Sequence, residues 1–438
     1  MSNTGTSARQ RRKGPLSLPA FRRYFAARTI SLAGDAMLPV ALTVAVLHEG
    51  YGATGVGLVL AAPLVPWVAL MLFSGVLADR IGPLPMMLGA DLLRFLGQGV
   101  LASALLLGHA SLTLLVVMQV LSGIGTGFFQ PGVGSIVPEI TDDTQAAIGL
   151  LRAAEAAVAT LAPALAGVAL TLLDPGVVVG LDAASFAVSG ALLLFLRLPS
   201  RKRVERKDGR HLRSDLVVGW REFRARRWLW TVIVTFGLFG LLVFGPFYVL
   251  SAATITAHHG SQTYGVVVAL QGGGAVVGGL VGSRIRPRRP LLMAVCALFL
   301  TVPQILALAA NGPIPLLAGT ICLGAVGRSV WSVLWSSTEQ RHVPKAVLNR
   351  IYAYDVVGSI ALLPVGRAVA GPLAAIVGDT DVLLLSAATA LLGCTAMLAT
   401  RQIRTLPTAP APLLGGTGGA ARAPAPGHDG EPAESLEP

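Results

Sequence analysis

The chain has 438 residues, of which 53% are hydrophobic and only 13% are charged, and its formal net charge is +12. Soluble domains carry about 25% charged residues, so this composition cannot cover a soluble surface with polar groups. Uncharged runs of about 20 residues, long enough to cross the hydrocarbon core as helices, recur from end to end, without the alternating pattern of a membrane β-barrel. The composition therefore predicts an all-α membrane protein.

Twelve such runs predict twelve transmembrane helices. They lie near 24–47, 55–78, 86–108, 112–134, 145–173, 176–198, 228–252, 262–283, 289–310, 314–337, 347–376 and 381–400. Every second connection lacks Lys and Arg, whereas the other set contains Arg22, Arg23, Arg284, Arg286, Arg288, Arg289 and Arg341. This is the positive-inside asymmetry, so we expect a multi-pass protein of the cell membrane with both termini in the cytoplasm.

The distribution of charge also predicts how the chain is divided. We expect a basic N-terminal segment at 1–23, a six-helix bundle at 24–198, a basic linker at 199–227, a second six-helix bundle at 228–400 and a tail at 401–438. The linker is interpreted as a solvated connection, with a lipid- or nucleic-acid-binding patch as the alternative. The tail is rich in Pro, Gly and Ala and is expected to be disordered.

The two predicted bundles repeat each other at an offset of 204 residues. Gly75-Val-Leu-Ala-Asp-Arg-Ile-Gly-Pro83 aligns with Gly279-Leu-Val-Gly-Ser-Arg-Ile-Arg-Pro287, and Ala164-Leu-Ala-Gly167 aligns with Ala368-Val-Ala-Gly371. Six helices is an even number, so the two halves enter the membrane in the same orientation. Parallel six-helix repeats are the architecture of major-facilitator transporters, which bind their substrate between the halves near the membrane midplane.

A glycine-rich motif follows the second predicted helix and comprises Gly75, Asp79, Arg80 and Gly82. It resembles the cytoplasmic signature of the major facilitator superfamily. The resemblance implies a latch that holds the outward-open state and releases it on the return. The basic continuation usual in the family is replaced here by Pro83-Leu-Pro85.

Four further segments resemble the branch of that superfamily that contains enterobactin exporters and macrolide-efflux proteins. They are Asp91-Leu-Leu-Arg94, Phe129-Gln-Pro131 with Val137-Pro-Glu139 after helix 4, Leu181-Asp-Ala-Ala-Ser-Phe186, and Val365-Gly366 through Pro372-Leu373. The resemblance implies drug:proton antiport. Within the first segment, Asp91 and Arg94 are three residues apart on a helix and are predicted to be able to pair.

The predicted fifth helix contains Ala162-Pro163-Ala-Leu-Ala-Gly167, which is similar to the glycine–proline motif of antiporters. Pro163 and Gly167 permit a kink and close packing, so ordinary helix packing is the alternative interpretation. Proton antiporters usually have an arginine four residues before the motif glycine of helix 4. Here Gln119 stands four residues before Gly123, which leaves proton coupling to other residues and makes Gln119 a candidate for the cavity wall.

Ionisable side chains inside membrane spans are costly and usually functional. Asp35 lies about 16 Å along the first helix, near the midplane, and is the first candidate for proton coupling. A structural role as the partner of a buried arginine is the alternative. Glu155 and Asp355 are the other proton-coupling candidates, and Arg328 lies deep enough to face the cavity.

Trp331 and Trp335 are four residues apart on the predicted tenth helix and therefore share a face. They are predicted to line the pocket for an amphiphilic cargo, with helix packing or an interfacial position as the alternative.

The sequence thus predicts a secondary transporter that exports a small amphiphilic compound in exchange for protons. The alternatives are a uniporter or importer of a polar metabolite on the same fold, or a membrane sensor or assembly protein that does not transport. No phosphate-binding loop, metal-ligand cluster or nucleophile–base pair occurs in the sequence, so neither an enzyme, a cofactor nor a metal is expected. The expected partners are a small-molecule substrate, protons and the lipid bilayer, with no nucleic acid, and the expected functional unit is a monomer.

Overall fold

The structure is a computed structural model that describes residues 15–71, 74–141, 143–196, 224, 226–343, 355 and 357–407. Within these ranges the chain is helical and contains no β-strand. Three predicted segments lie outside the described residues: the basic segment up to residue 14, almost all of the linker, and the tail after residue 407. The same holds for residues 347–354, where the eleventh helix is predicted to begin.

Eleven helices in the described ranges are long and apolar enough to cross a membrane. One of them, Arg227–Arg284, has 58 residues and would be about 87 Å long, nearly three times the hydrocarbon thickness. It is broken at Gly260, whose φ of +83° is not helical. The break divides this helix into two spans and confirms the predicted total of twelve.

The spans are numbered α1 to α12 in chain order. They are α1 Pro19–His48, α2 Gly52–Leu70, α3 Pro83–Leu106, α4 Leu112–Ile140, α5 Thr144–Ala169, α6 Pro175–Leu194, α7 at 227–259, α8 at 261–284, α9 Pro290–Ala309, α10 Ile314–His342, α11 Val357–Val377 and α12 Asp379–Ala399. We call the side on which α1 begins and α12 ends the basic side, and the opposite side the far side.

Local sequence sets several helix ends. Four spans begin with a proline, at Pro19, Pro83, Pro175 and Pro290, where the missing N–H is not needed. Ser111 caps α4 and Asp143 caps α5, each accepting a hydrogen bond from a backbone N–H three residues on.

The fourth helix is longer than predicted. It continues to Ile140 rather than ending near residue 134, so Pro138 lies inside it, as Pro131 does, and not after it. Ile136 and Val137 are buried against neighbouring helices. This packing stabilises the last turns of α4, where local propensity alone would predict an end.

The third helix has a buried polar face and an exposed apolar face. Asp91, Arg94 and Gln98 recur at helical spacing and are buried, whereas Leu92 and Leu96 on the other face are more than half exposed. In a protein that crosses a bilayer, the apolar face contacts lipid and the polar face contacts the bundle interior. The buried polar stripe of α3 therefore faces the functional core of the first half.

The internal repeat forms two equivalent helix crossings near the far side. In α5, Gly167 packs on Gly265 of α8, and a Cβ on Gly265 would lie 2.6 Å from the Gly167 Cα and 3.0 Å from the Pro163 carbonyl oxygen. In α11, Gly371 packs on the backbone of Thr54 in α2. Gly167 and Gly371 are the residues that align in the 204-residue repeat, so the halves are related as the sequence predicts.

The glycine-rich motif lies on a short helix rather than in a loop. Gly75, Asp79 and Arg80 belong to Ser74–Ile81, which is joined to α3 by Gly82 alone. Gly82 has a φ of +100° and a ψ of +148°, a conformation that is essentially restricted to glycine. Such a tight turn explains why a glycine ends the motif.

Replacing Gly82 by alanine is expected to destabilise this turn by about 1–3 kcal/mol, because a Cβ disfavours the conformation whatever the surrounding space. Gly89→Ala is the matched control, since a Cβ there would meet no atom within 4 Å. Thermal unfolding of the purified variants checks the prediction. Equal melting temperatures for the two variants would contradict it.

Candidate functional site

The first half contains a buried ion pair between α1 and α3. One terminal nitrogen of Arg94 donates to both carboxylate oxygens of Asp35. The Arg94 side chain is only 2% exposed, whereas that of Asp35 is 31% exposed. The Arg94 guanidinium also lies over the ring of Phe186 in α6, 3.9 Å from its centroid. A nearly fully buried cation is thus balanced by a carboxylate that water can reach.

Two more carboxylates lie close to this pair. Asp91 in α3 accepts a hydrogen bond from the Ser189 hydroxyl at 2.7 Å, and its other oxygen has no partner. Asp182 in α6 is buried, and neither of its oxygens has a partner. Both carboxylates lie within electrostatic range of Arg94. The predicted pairing of Asp91 with Arg94 is wrong, because Arg94 reaches across to α1 and Ser189 binds Asp91.

Two glycines allow the helices to approach closely around these charges. A Cβ on Gly34 would collide with the side chains of Asp182 and Ser185, and a Cβ on Gly125 would collide with the aliphatic part of Arg94. Gly34 therefore brings α1 against α6 next to Asp35, and Gly125 brings α4 against α3. We call Asp35, Asp91, Arg94 and Asp182 the charge cluster.

Glu155 lies on α5 between two arginines. One of its oxygens is 3.4 Å from Arg28 of α1, and the other accepts a hydrogen bond from Arg152 at 2.9 Å. Arg152 is largely exposed and Arg28 is buried. The pairing of Arg152 with Glu155 follows from their spacing of three residues, whereas the contact with Arg28 joins α1 to α5.

The second half contains a cavity of about 370 Å³ between α7, α9, α10 and α11. Its wall includes five aromatic residues, Phe236, Phe244, Tyr248, Trp331 and Trp335. Trp331 stacks on Trp335 with 5.7 Å between ring centroids, and Phe236 stacks on Trp331 at 5.0 Å. We call this space the aromatic cavity. Both predicted tryptophans line it, and they pack against each other as well.

The polar groups of the aromatic cavity are few. Asp355 accepts hydrogen bonds from the Trp335 indole N–H at 2.9 Å and from the Ser359 hydroxyl at 3.1 Å. Both of its oxygens are therefore bound by the protein. Arg328 also lines the cavity, together with Ser332 and Ser336.

A second cavity of about 370 Å³ adjoins the first and lies where the two halves meet. Ala159 of α5 contributes to its wall from the first half, and Gln271 of α8 from the second. Arg328 and Tyr248 line both cavities. We call this space the interface cavity.

The remaining predicted site residues lie elsewhere. Gln119 is buried between α3 and α4, where its amide donates to Gln98 at 3.4 Å, and it lines neither cavity. Pro163 and Gly167 form the far-side crossing with α8. Arg80 is exposed at the basic side, and the side chain of Asp79 lies outside the described part of the chain.

The two halves are also joined at the far side by Arg367 of α11. Its guanidinium donates to the Leu60 carbonyl oxygen of α2 at 2.9 Å and lies 5.4 Å from the ring centroid of Tyr248. A Cβ on Gly57 would collide with the carbonyl of the same arginine. Together with the two glycine crossings, this contact closes the far side of the bundle.

Sequence reasoning did not single out Asp182 as a site residue, although the segment around it is part of the family resemblance. The sequence does contain a signal for Asp182, because an ionisable residue inside an apolar span is usually functional. The aromatic residues of α7 were missed for another reason. Phe236, Phe244 and Tyr248 recur at multiples of four residues, but they belong to a long apolar run in which hydropathy does not distinguish the cavity-facing side from the others.

With this geometry established, comparison with known proteins identifies the family. Residues 24–361 match the profile of the Major Facilitator Superfamily. The chain belongs to this superfamily. It is 22% identical over 391 residues to Macrolide efflux protein A of Streptococcus pyogenes, an alignment that covers 84% of this chain and 92% of that protein.

Solved structures of superfamily members share the fold. The nucleoside transporter NupG superposes with a TM-score of 0.70 at 11% identity, covering 87% of this chain and 98% of that one. A bacterial homologue of the iron transporter ferroportin in its inward-facing state superposes with a TM-score of 0.67 at 17% identity, covering 87% and 98%. At these identities the likeness concerns the fold alone.

The family assignment confirms the predicted class. The protein is a multi-pass membrane transporter of twelve helices in two parallel halves, it takes a small-molecule substrate, and it is not an enzyme.

Proposed function

We propose that the protein exports a small amphiphilic compound across the cell membrane in exchange for protons, by alternating access, and that it acts as a monomer. The observation that carries the proposal is the Asp35–Arg94 pair, in which a partly exposed carboxylate neutralises a buried guanidinium. A carboxylate in this position can exchange protons with water while it controls the charge of the bundle interior.

The balance of charges in the cluster supports proton coupling. Three carboxylates, those of Asp35, Asp91 and Asp182, surround the single guanidinium of Arg94. If all three were ionised, the cluster would hold an excess of negative charge in a medium of low dielectric constant, which is costly. Protons neutralise this excess, and their uptake or release changes the attraction between α1, α3 and α6. Glu155 and Asp355 are proposed as further sites that respond to protons.

The two cavities support an amphiphilic cargo. Their walls combine aromatic rings with a few polar groups, and each volume falls within the range of small-molecule sites, about 300–1,000 Å³. The direction of transport is supported by the likeness to Macrolide efflux protein A. A macrolide is therefore a suitable first compound to test.

The excess of Arg on the basic side supports placing that side in the cytoplasm. Under this assignment the closed far side faces outward, and the structure represents a state that is closed to the outside. Gly75, Asp79, Arg80, Gly82, Asp91 and Arg94 are proposed to control the switch between states, with the short helix Ser74–Ile81 acting at the cytoplasmic surface.

Cells that express the protein are expected to accumulate less of a labelled macrolide than cells with the empty vector. A protonophore should abolish the difference, because it removes the driving force. Uptake and release are measured in energised cells before and after the protonophore is added. Higher accumulation in the expressing cells would indicate import, and an effect that survives the protonophore would exclude proton coupling.

A further inference from the structure

Arg328 differs from the other arginines that lie away from the ends of the described spans. Arg28 and Arg152 contact Glu155, Arg94 binds Asp35, and Arg367 donates to the Leu60 carbonyl. One terminal nitrogen of Arg328 is buried without any hydrogen-bond partner, and no carboxylate in the described part of the chain forms an ion pair with Arg328.

The position of Arg328 makes this lack of a partner costly. It lies 14 residues from the start of α10, about 21 Å along the helix and thus near the middle of the membrane. A guanidinium at such a depth normally pairs with a protein group or marks the path of a substrate. Since the described protein groups leave it unpaired, the second role is favoured.

The surroundings of Arg328 are those of a binding site. It lines both the aromatic cavity and the interface cavity, so a molecule in either space can reach it. The stacked rings of Trp331 and Trp335 lie on the same wall. Asp355 lines the same aromatic cavity but forms no ion pair with Arg328, and its two oxygens accept hydrogen bonds from Trp335 and Ser359 instead.

We propose that Arg328 binds an anionic group of the cargo, such as a carboxylate, while the aromatic wall of α10 and α7 holds the apolar body. This inference rests on the proposed function, and it predicts that, among amphiphilic compounds, those with a negative charge are preferred over uncharged or cationic ones. The planar guanidinium presents a fork of donors that matches a carboxylate, whereas an uncharged amide or ester forms weaker hydrogen bonds.

Two small probes test the proposal with the full-length protein in nanodiscs of phosphatidylcholine. Naphthylacetate carries a carboxylate, and naphthylacetamide has the same ring with an uncharged group. Binding is followed by quenching of tryptophan fluorescence. We expect the acid to bind at least about tenfold more tightly than the amide, since a hydrogen bond to a charged group contributes more than a neutral one.

In Arg328→Gln the acid and the amide should bind with nearly equal affinity. In Arg328→Lys the preference for the acid should be partly retained because the positive charge remains. Arg401→Gln is the matched control, since it removes one exposed arginine at the basic side. Equal binding of the two probes to the parent protein, failure of the acid to bind, or an unchanged preference in Arg328→Gln would overturn the proposal.

Thermal unfolding separates a binding role from a structural one. An unpaired intramembrane guanidinium contributes no stabilising contact, so Arg328→Gln should unfold at the same or a higher temperature than the parent. A clear fall in that temperature would show that Arg328 is a structural residue and would overturn the proposal.

An anionic lipid headgroup offers the same chemistry as an anionic cargo. Nanodiscs that contain phosphatidylglycerol distinguish the two, because loss of acid binding there would assign Arg328 to lipid and overturn the proposal.

The binding assay needs no gradient and no direction of transport. Discrimination between the probes without efflux from cells would therefore contradict the proposed function and leave the role of Arg328 intact.

Discussion

Replacing Asp35 by asparagine is expected to abolish gradient-driven efflux and to lower the temperature at which the protein unfolds. The amide keeps the size of the side chain but neither carries a negative charge nor takes up a proton. Loss of the counter-ion leaves the buried Arg94 guanidinium without a bonded carboxylate, because Asp91 and Asp182 lie near it but form no ion pair with it. The loss of such a partner costs about 3–5 kcal/mol in fully buried pairs. This range is an upper bound here, because 31% of the Asp35 side chain is exposed.

Combining Asp35→Asn with Arg94→Gln separates the two effects. The double variant has no guanidinium that lacks a bonded carboxylate, so it should regain part of the thermal stability that the single variant loses, although Asp91 and Asp182 then lack the charge of Arg94. Gradient-driven efflux should stay absent, because no carboxylate remains at this position to exchange protons. Thermal unfolding in detergent and efflux from energised vesicles measure the two properties independently.

Asp174→Asn is the matched control, since Asp174 is exposed in the connection before α6 and lies about 12 Å along that helix from Asp182, the member of the charge cluster nearest to it in sequence. It should change neither stability nor efflux. A double variant that regains both properties would reduce Asp35 to a structural partner of Arg94. That outcome corresponds to the alternative that the sequence leaves open for Asp35.

The membrane topology could be predicted from the sequence because it depends on local quantities. Apolar runs of spanning length predict each helix, and the distribution of arginine separates the two sides of the bundle. Even the break at Gly260 lies in a connection that the hydropathy pattern predicts between the seventh and eighth helices. The error at the end of α4 arises because packing of Ile136 and Val137 extends the helix past its local signals.

The site could be predicted only in part. Helical periodicity shows which residues share one face of a helix, but it does not show which neighbouring helix that face packs against. Trp331 and Trp335 share a face by their spacing, and both line the aromatic cavity. The partner of Arg94 depends instead on how α1 packs on α6 at Gly34 and how α4 packs on α3 at Gly125. A spacing of three residues made Asp91 the obvious partner, but a long arginine side chain can reach another helix.

Replacing Gly265 by valine is expected to hold the far side open and to abolish transport without unfolding the protein. A Cβ on Gly265 would lie 2.6 Å from the Gly167 Cα and 3.0 Å from the Pro163 carbonyl oxygen. Both neighbours are backbone atoms of α5 and cannot rotate away. Overpacking of this kind costs about 1–3 kcal/mol or more, which shifts the equilibrium between closed and open states by roughly tenfold to a hundredfold.

Cysteine labelling from outside intact cells measures this shift. Cys296, Cys322 and Cys394 are first replaced by alanine, and Gln271→Cys then places one thiol on the wall of the interface cavity. A membrane-impermeant reagent should modify this thiol much faster in the Gly265→Val background. Gly273→Val is the matched control on the same helix, because a Cβ on Gly273 would meet no atom within 4 Å. Equal labelling rates in the two backgrounds would contradict the prediction.

The internal repeat extends the Gly265→Val prediction to the equivalent helix crossing in the other half. Gly371 is the counterpart of Gly167, and a side chain there would collide with the backbone of Thr54 in α2. If the two halves move as rigid bodies, both crossings must close together, and blocking either one prevents closure of the whole far side. Gly371→Val should therefore reproduce the labelling of Gly265→Val, and the double variant should be labelled no faster than either single variant. Additive effects would indicate that the two crossings open separately.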